Sequence, residues 1–226
     1  MTPDEMLARL LYRDALILVI DKPAGLPVHA GPGGGDNLEQ YLDALRFGLP
    51  RVPSLAHRLD RDTSGCLVLG RHRKALAKLG RMFESKRVGK TYWAIVEGAP
   101  EQDSGTIDLA LAKKSERKDR WHMKVDPDGM ETVTDYRVRG RGPGIAWIEF
   151  NPRTGRTHQL RVHAQAMGWP IVGDQLYGSG GADGTLHLQS RAITLPLYPS
   201  RDPVHVEAPP PPHMLERLRQ CGWEPT

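Results

Sequence analysis

Short apolar runs rich in β-branched and aromatic residues recur along the chain, separated by Gly, Pro and charged residues. Residues 15–23 read ALILVIDKP and are stopped by Lys-Pro-Ala-Gly, which predicts a buried strand that ends in a turn. Residues 66–71, CLVLGR, predict a second buried strand. From residue 91 onwards further strands are predicted in the runs TYWAIVEG, GTIDLAL, ETVTDYRVRG, IAWIEF and LHLQSRAITL.

Four other segments have the apolar spacing or the capping residues of helices. They are residues 38–48, 74–83, 157–167 and 214–221. The first is preceded by Asp36 and Asn37, either of which is suited to cap a helix, and the last follows a run of prolines. Helices interspersed with strands in this way predict an α+β protein with a mixed, mainly antiparallel, bent sheet flanked by helices.

No internal repeat and no linker-like change of composition divides the chain. We therefore predict a single domain over residues 1–226. Its core is expected to span about residues 14–208, followed by a proline-rich segment and a short helix over 209–226.

Composition excludes several classes of protein. The chain has 226 residues, 39% of them hydrophobic, which is ordinary for a globular protein. No apolar run approaches the roughly 20 residues that cross a bilayer, and the N-terminal segment lacks a signal-peptide core. The two cysteines, Cys66 and Cys221, form no CxxC pair, so we expect free buried thiols. These features predict a cytoplasmic protein without membrane contact.

Positive charge is concentrated in one part of the chain. The formal net charge is only +4, but residues 51–90 hold eleven Lys or Arg against three Asp or Glu. A second basic stretch, residues 113–124, reads KKSERKDRWHMK. Such surfaces are suited to polyanions, although a solvated charged face is an equal alternative for either run taken alone.

The segment LAHRLDRDTSGCLVLG, residues 55–70, places polar groups between an apolar lead-in and a buried strand. Asp60 lies close to Arg58 and Arg61, two cations that should keep its carboxylate ionised, as a nucleophile or general base requires. The DTSG that follows is also explained by turn hydrogen bonds, with Gly65 supplying a permissive backbone conformation.

Two further segments carry candidate chemistry. On a helix beginning near residue 157, His158, Arg161 and Gln165 would share a face, and Arg161 is suited to pair with a carboxylate or phosphate. In a strand, Lys90 and Tyr92 would point to the same side, although core packing is the commoner role of a strand tyrosine. No metal-binding pattern is present, and the glycine-rich residues 31–36 lack the Lys-Ser/Thr of a phosphate-binding loop. Neither a metal site nor a nucleotide-binding loop is therefore expected.

Taken together, these segments resemble a known family. HRLDRDTSG, residues 57–65, resembles the signature of RluA-type RNA pseudouridine synthases. Three further blocks of that family occur in the same order: DKPAGLPVH, KRVGKTYWAIVEG and GRTHQLRVHAQAMGWPIVGDQLYG. The resemblance covers about residues 16–195, with departures at Pro27 and Trp169. It implies a mixed-sheet catalytic fold with an RNA-binding cleft, and the short stretch before the first block implies a stand-alone catalytic domain without an N-terminal S4-like module.

The resemblance also implies residue roles. The catalytic aspartate falls on Asp60, the cleft tyrosine on Tyr92 and the arginine that pairs with the aspartate on Arg161. Arg58 falls on the arginine that enters the RNA where the target uridine is expelled. The neighbouring polar residues expected to bind RNA are Arg61, Lys90 and His158.

The implied activity is isomerisation of uridine to pseudouridine in a stem-loop of transfer or ribosomal RNA, by a cofactor-free monomer that flips the base out. Whether Asp60 acts as a nucleophile or as a base stays open. A catalytically silent RNA-binding or RNA-folding protein on the same scaffold is the alternative. A metal-dependent RNA hydrolase is a weaker one.

Overall fold

The computed structural model describes residues 1–31, 34–117, 120–180 and 184–225. Its helices are α1 (Pro3–Leu7), a 3-10 helix (Leu38–Leu45), α2 (Arg73–Glu84), α3 (Gln159–Ala166) and α4 (Pro212–Gln220). Its strands are β1 (Leu10–Arg13), β2 (Ile17–Lys22), β3 (Ser54–Leu55), β4 (Ser64–Gly70), β5 (Gly89–Glu97), β6 (Ser104–Asp108), β7 (Leu111–Arg117), β8 (Arg120–Val125), β9 (Val133–Gly142), β10 (Ile145–Pro152), β11 (Leu188–Leu195) and β12 (Val204–Glu207).

The chain divides into two compact units. The first unit comprises Met1–Lys90 and Ser190–Pro209, and the second comprises Thr91–Gln189 and Pro210–Thr226. Strands β5 and β11 each contribute residues to both units. The prediction of one domain over residues 1–226 stays a prediction.

The first unit is built on β2 and β4, which pair antiparallel so that Lys22 lies opposite Gly65. Both strands are almost wholly buried, which explains their continuous apolar sequences. Strand β1 pairs with β2, and β12 pairs with β11, again antiparallel. Helix α2 packs Leu79 and Met82 into this core, and its Ala75 is buried as well.

The second unit contains the strand order β5-β10-β9-β6, with antiparallel pairing throughout. Tyr92 and Ala94 pack on one side of β5, whereas Trp93 and Ile95 pack on the other with Met214 of α4. Trp169, one of the departures from the family pattern, is buried 5.4 Å from Tyr136 and 6.0 Å from Phe150 between ring centroids. It therefore belongs to the core of this unit.

A two-stranded hairpin, β7 with β8, also belongs to the second unit. Leu111 and Met123 of the hairpin form a small apolar cluster with Val162 of α3, and this cluster fixes the base of the hairpin on the helix. The hairpin occupies the basic stretch predicted at 113–124, of which residues 118 and 119 lie outside the described residues.

The predicted α+β class with a mainly antiparallel sheet flanked by helices is confirmed. Two predicted helices differ in detail. The one at 38–48 is a 3-10 helix that ends at Leu45, and Asn37 is the residue that caps it. The one at 157–167 begins only at Gln159, because His158 has a left-handed backbone conformation with φ 54°.

Both cysteines are free and buried, as predicted. Burial raises the pKa of Cys66 to about 12, so this thiol is unreactive at neutral pH. Within the described residues, none of the helices combines the length and the apolar character needed to traverse a bilayer.

Candidate active site

Asp60 lies in a tight turn of the first unit immediately before β4. Its backbone carbonyl accepts a hydrogen bond from the Thr63 N–H at 3.2 Å, and Gly65 has φ 101°, a conformation that side-chain-bearing residues rarely adopt. Leu59 is buried under the turn, Asp60 is half-buried, and Arg58 is exposed. The turn therefore anchors its apolar residue and leaves its charged side chains accessible.

Lys22 anchors this turn from beneath, a role that the sequence alone did not indicate. Its side chain is fully buried, and Nζ donates to the carbonyl oxygens of Pro23 at 2.7 Å, Leu26 at 2.8 Å and Arg61 at 2.8 Å. The Gly25 N–H donates to the same Arg61 carbonyl at 3.0 Å. One ammonium group thus joins the turn after β2 to the Asp60 turn.

The charge of Lys22 is balanced by nearby carboxylates. Burial lowers the pKa of Lys22 to about 8, and the neighbouring charges of Asp62, Asp60 and Asp21 oppose that shift. At neutral pH the side chain is therefore mainly an ammonium ion, with three donors for its three carbonyl partners.

His57 fixes the other end of the same turn. The Val68 N–H donates to its Nε2 at 3.0 Å, and its ring stacks on Phe83 at 4.7 Å between centroids. Burial, followed by the positive charge of Lys90, lowers the pKa of His57 to about 4. The ring is consequently neutral and protonated on Nδ1, because Nε2 serves as an acceptor. His57 is a positioning residue for the segment that carries Arg58 and Asp60.

In the second unit, Arg161 forms a buried ion pair with Asp174. Its Nε is 2.7 Å from Oδ2, and its Nη2 is 2.8 Å from Oδ1, so the pair is bidentate. Burial alone would raise the pKa of Asp174, but the hydrogen bonds and charge of Arg161, with the N–H groups of Leu176 and Tyr177, lower the pKa below its usual value. The carboxylate therefore stays ionised and orients the guanidinium.

Helix α3, which carries Arg161, is held by polar side chains as well as apolar ones. Gln159 accepts from the Thr154 hydroxyl at 2.8 Å, and its amide donates to the Thr134 hydroxyl at 2.9 Å. His163 lies 2.9 Å from the Thr132 hydroxyl and 3.0 Å from that of Thr134, and burial lowers its pKa. These fully buried partners fix the rotation of the helix, because a polar group without its partner is costly in the interior.

This arrangement corrects the predicted face of α3. Arg161 and Gln165 lie four residues apart within α3, as predicted, although Arg161 is buried and Gln165 is exposed near the end of the helix. His158 precedes the helix, so it does not extend their face. The backbone conformation of His158 explains the difference: a left-handed residue redirects the chain, and the 3.6-residue period begins only after it.

Tyr177 connects three parts of the second unit. Its hydroxyl accepts from the Met123 N–H of β8 at 2.9 Å and lies 2.8 Å from His158 Nδ1. Its ring centroid is 5.1 Å from the Arg161 guanidinium carbon, within range of a cation–π interaction. The hairpin, His158 and Arg161 are therefore linked through one side chain.

The predicted site residues are distributed over both units. Asp60, Arg58, Arg61 and Lys90 belong to the first unit, and Tyr92, Arg161 and His158 to the second. Arg61 is exposed, with its Nε 3.1 Å from Asp62 Oδ1. Tyr92 is half-buried on β5, opposite Phe150 of β10. The pairing of Asp60 with Arg161 stays a prediction.

Besides His57, the residues that the sequence did not single out are Lys22, Asp174 and Tyr177. All three lie within the family-like blocks, in DKPAGLPVH and GDQLYG. A charged residue inside a buried strand, as Lys22 is, was the available signal. The partner of Arg161 lies 13 residues further along the chain, beyond the range of local spacing rules.

Comparisons with known proteins identify the family of the chain. A model of the RNA pseudouridylate synthase family matches residues 16–166. An uncharacterised RNA pseudouridine synthase of Zymomonas mobilis is 45% identical over 90% of this chain and 94% of its own length. The ribosomal large subunit pseudouridine synthase D of Xanthomonas campestris is 39% identical over 96% of this chain and 70% of its own.

The fold has solved counterparts as well. The structure of human RNA Pseudouridylate Synthase Domain Containing 4 superimposes with a TM-score of 0.80 at 26% identity, covering 97% of this chain and 95% of the human one. The chain belongs to the RNA pseudouridylate synthase family, and the resemblance to RluA-type members is confirmed. It is an enzyme of the isomerase class.

Proposed function

We propose that this enzyme isomerises one or more specific uridines in a structured stem-loop of transfer or ribosomal RNA. Large-subunit ribosomal RNA is the first candidate, because several relatives are named ribosomal large subunit pseudouridine synthases. A-form RNA hides its major-groove edges, so recognition is expected to use splayed bases in a loop. We further propose that the enzyme acts in the cytoplasm as a monomer without a cofactor.

Asp60 is the proposed catalytic carboxylate. Isomerisation breaks the bond from ribose C1′ to uracil N1, turns the base and rejoins it through C5, so all heavy atoms of the substrate are retained. The base is first flipped out of the RNA, at a cost of a few kcal/mol that is lower in a loop. Asp60 then acts either as a nucleophile on C1′ or as a base on the ribose.

The observation that carries this proposal is the construction of the Asp60 turn. The Arg61 carbonyl of the turn is fixed by the buried Lys22 ammonium and His57 is fixed to β4, yet the Asp60 carboxylate remains half-exposed between two exposed arginines. Rigid support beneath an accessible charged group is typical of a catalytic residue and is unnecessary for a solvated surface carboxylate.

The other site residues have supporting roles. Two N–H groups of Arg161 are directed at Asp174, and its remaining donors are proposed to hydrogen-bond to Asp60. Tyr92 is proposed to stack on the detached base and to assist removal of the C5 proton. Arg58 fills the gap left by the flipped nucleotide. Arg61, Lys90 and His158 contact the surrounding RNA.

The activity is tested by release of tritium from RNA that carries uridine tritiated at C5, since the C5 hydrogen is lost when the new bond forms. We expect release by the wild type and a fall of about 10³-fold or more for Asp60→Asn, which removes the charge at nearly constant shape. Asp43→Asn, at an exposed carboxylate paired with Arg46, is the control and should retain wild-type activity.

Two results would overturn the proposal. Tight RNA binding by the wild type without tritium release would leave the catalytically silent RNA-binding protein as the better interpretation. Full activity of Asp60→Asn would remove Asp60 from its role. Mapping of pseudouridine in total RNA with and without the enzyme identifies the target uridine.

A further inference from the structure

Helix α2 and the turn after it present a band of basic side chains in the first unit. Its members are Arg73, Lys74, Lys78, Arg81, Lys86 and Arg87. Lys78 is half-buried and the other five are exposed. Glu84 is the single acidic residue between positions 71 and 90. We call this band the α2 surface.

The α2 surface is not arranged to stabilise its own helix. Lys74, Lys78 and Arg81 follow one another at spacings of four and three residues, so like charges are neighbours on one face and repel. Arg73 and Lys74 lie in the first turn, where the helix dipole disfavours cations, and no acidic residue accompanies them there. Stabilisation of the helix therefore does not explain why these positions carry Lys and Arg.

The α2 surface also lacks internal neutralisation. Elsewhere, exposed cations have carboxylate partners, as in Arg46 with Asp43 and Arg141 with Asp103. Within the described part of the chain, no carboxylate lies in ion-pair range of the six members of the α2 surface. Their charges remain available to an external anion.

The far end of the α2 surface adjoins the Asp60 turn. Phe83, in the last turn of α2, stacks on His57, which directly precedes Arg58. Immediately after Phe83 the chain closes through the N–H groups of Lys86 and Arg87, which donate to the carbonyls of Phe83 and Met82. Lys86 has φ 56° at a position where glycine is usual, so a charged side chain is kept there despite backbone strain.

From these observations we propose that the α2 surface binds the phosphodiester backbone of the RNA substrate next to the flipped uridine. This inference rests on the proposed function and adds the path of the RNA strand over the protein. The helix is about 18 Å long at 1.5 Å per residue, long enough to contact several consecutive phosphates. The α2 surface supplies affinity without reading sequence, because phosphate contacts are the same for every base.

The test compares two triple variants that remove equal charge. Lys74→Gln/Arg81→Gln/Arg87→Gln removes three members of the α2 surface. Arg137→Gln/Arg217→Gln/Arg219→Gln removes three basic residues of the second unit that have no ion-pair partner among the described residues. Binding of a fluorescein-labelled stem-loop transcript with uridines in its loop is measured over a range of salt concentrations, and tritium release is measured at saturating RNA.

We expect the α2 variant to raise Kd at least 10-fold at physiological salt. The plot of log association constant against log salt concentration should become less steep by about 2, since each phosphate contact contributes about 0.7–0.9 to its steepness. Its kcat at saturating RNA should equal that of the wild type. The single variants Lys74→Gln and Arg87→Gln, which leave the helix intact, should each give about a third of the slope change.

The α2 surface is rejected if the α2 variant binds the transcript with the same Kd and salt slope as the control variant. This result can be told apart from a failure of the proposed function, because in that case the wild-type enzyme itself would release no tritium. A fall of kcat with unchanged Kd would also contradict the inference, because the residues would then act on the chemical step.

Discussion

The Asp60 turn and helix α3 each hold a charged side chain, and they do so in different ways. In the Asp60 turn the backbone is anchored, because a buried ammonium ties its Arg61 carbonyl to two carbonyls of the turn after β2, and the carboxylate itself stays accessible. In α3 the charged group itself is anchored, because Arg161 is buried and paired with Asp174 on a helix fixed by Gln159 and His163.

The difference follows from the chemical roles proposed for Asp60 and Arg161. A residue that attacks a substrate must reach it, so rigidity has to come from the backbone beneath. A residue that orients or neutralises another charge acts more strongly when it is buried, since a low dielectric strengthens its field. Four experiments test this difference between the two sites, and the most damaging change comes first.

Removing the partner of the buried arginine should be the most damaging change. Asp174→Asn leaves the Arg161 charge uncompensated in the interior, and we expect a loss of about 3–5 kcal/mol in the free energy of unfolding. Asp135→Asn is the matched control, because Asp135 also forms a bidentate pair, with the exposed Arg153, and should cost about 1 kcal/mol or less. Urea unfolding of both variants measures the difference, and equal losses would contradict the role given to burial.

Removing the anchor of the Asp60 turn should be nearly as costly. Lys22→Met keeps the apolar stem but removes the Nζ donor from the Pro23 and Leu26 carbonyls and leaves the Arg61 carbonyl with the Gly25 N–H alone. We therefore expect a loss of about 3 kcal/mol, together with a fall in kcat that exceeds any rise in KM. Lys124→Met, at an exposed lysine paired with Asp126, should change stability by about 0.5 kcal/mol or less. A Lys22→Met enzyme with wild-type kcat would show that the turn needs no anchor.

Removing the Tyr177 hydroxyl should have a smaller and more local effect. Tyr177→Phe keeps the ring beside Arg161 but deletes the acceptor of the Met123 N–H, so we expect a loss of about 1 kcal/mol. Hydrogen exchange should accelerate at Met123 and its neighbours in β8. Tyr12→Phe, which removes a hydroxyl bound to Asp14 in the first unit, should leave exchange in the hairpin unchanged.

The pH dependence of Lys22 gives the smallest effect. Its pKa is about 8 in the folded chain and 10.5 without burial, so between these values the folded chain binds fewer protons than the unfolded chain, and the free energy of unfolding rises with pH. From pH 7 to 8.5 the rise should be roughly 0.8 kcal/mol. Over the same range kcat should fall, because a neutral amine has one donor fewer for its carbonyls.

Lys22→Met tests whether Lys22 causes this increase, because the variant has no amine to titrate and its free energy of unfolding should lack the rise of roughly 0.8 kcal/mol between pH 7 and 8.5. Calorimetry at several pH values, with kcat measured in parallel, separates the two trends. Stability that falls from pH 7 to 8.5 in the wild type alone would contradict the assignment to Lys22.

Much of the fold was predictable because its signals are local. The buried strands β2 and β4 appear as unbroken apolar runs, and α2 has apolar residues at helical spacing. The hairpin β7–β8 was not predicted, because its basic composition hides the strand pattern and its apolar residues, Leu111 and Met123, find their partner on a distant helix.

The amino-acid sequence was enough to identify the class of enzyme and most of the strands, since ordered motifs and apolar periodicity are properties of neighbouring residues. It also singled out Asp60, Tyr92 and Arg161 as site residues, which stays a prediction. Three features became visible only in the folded chain: Lys22 supports the Asp60 turn, Asp174 holds Arg161, and α3 is buried with its polar side chains paired. The physical reason is that a buried charge is stable only beside particular partners. Those partners are brought close by the fold, from positions far apart along the chain.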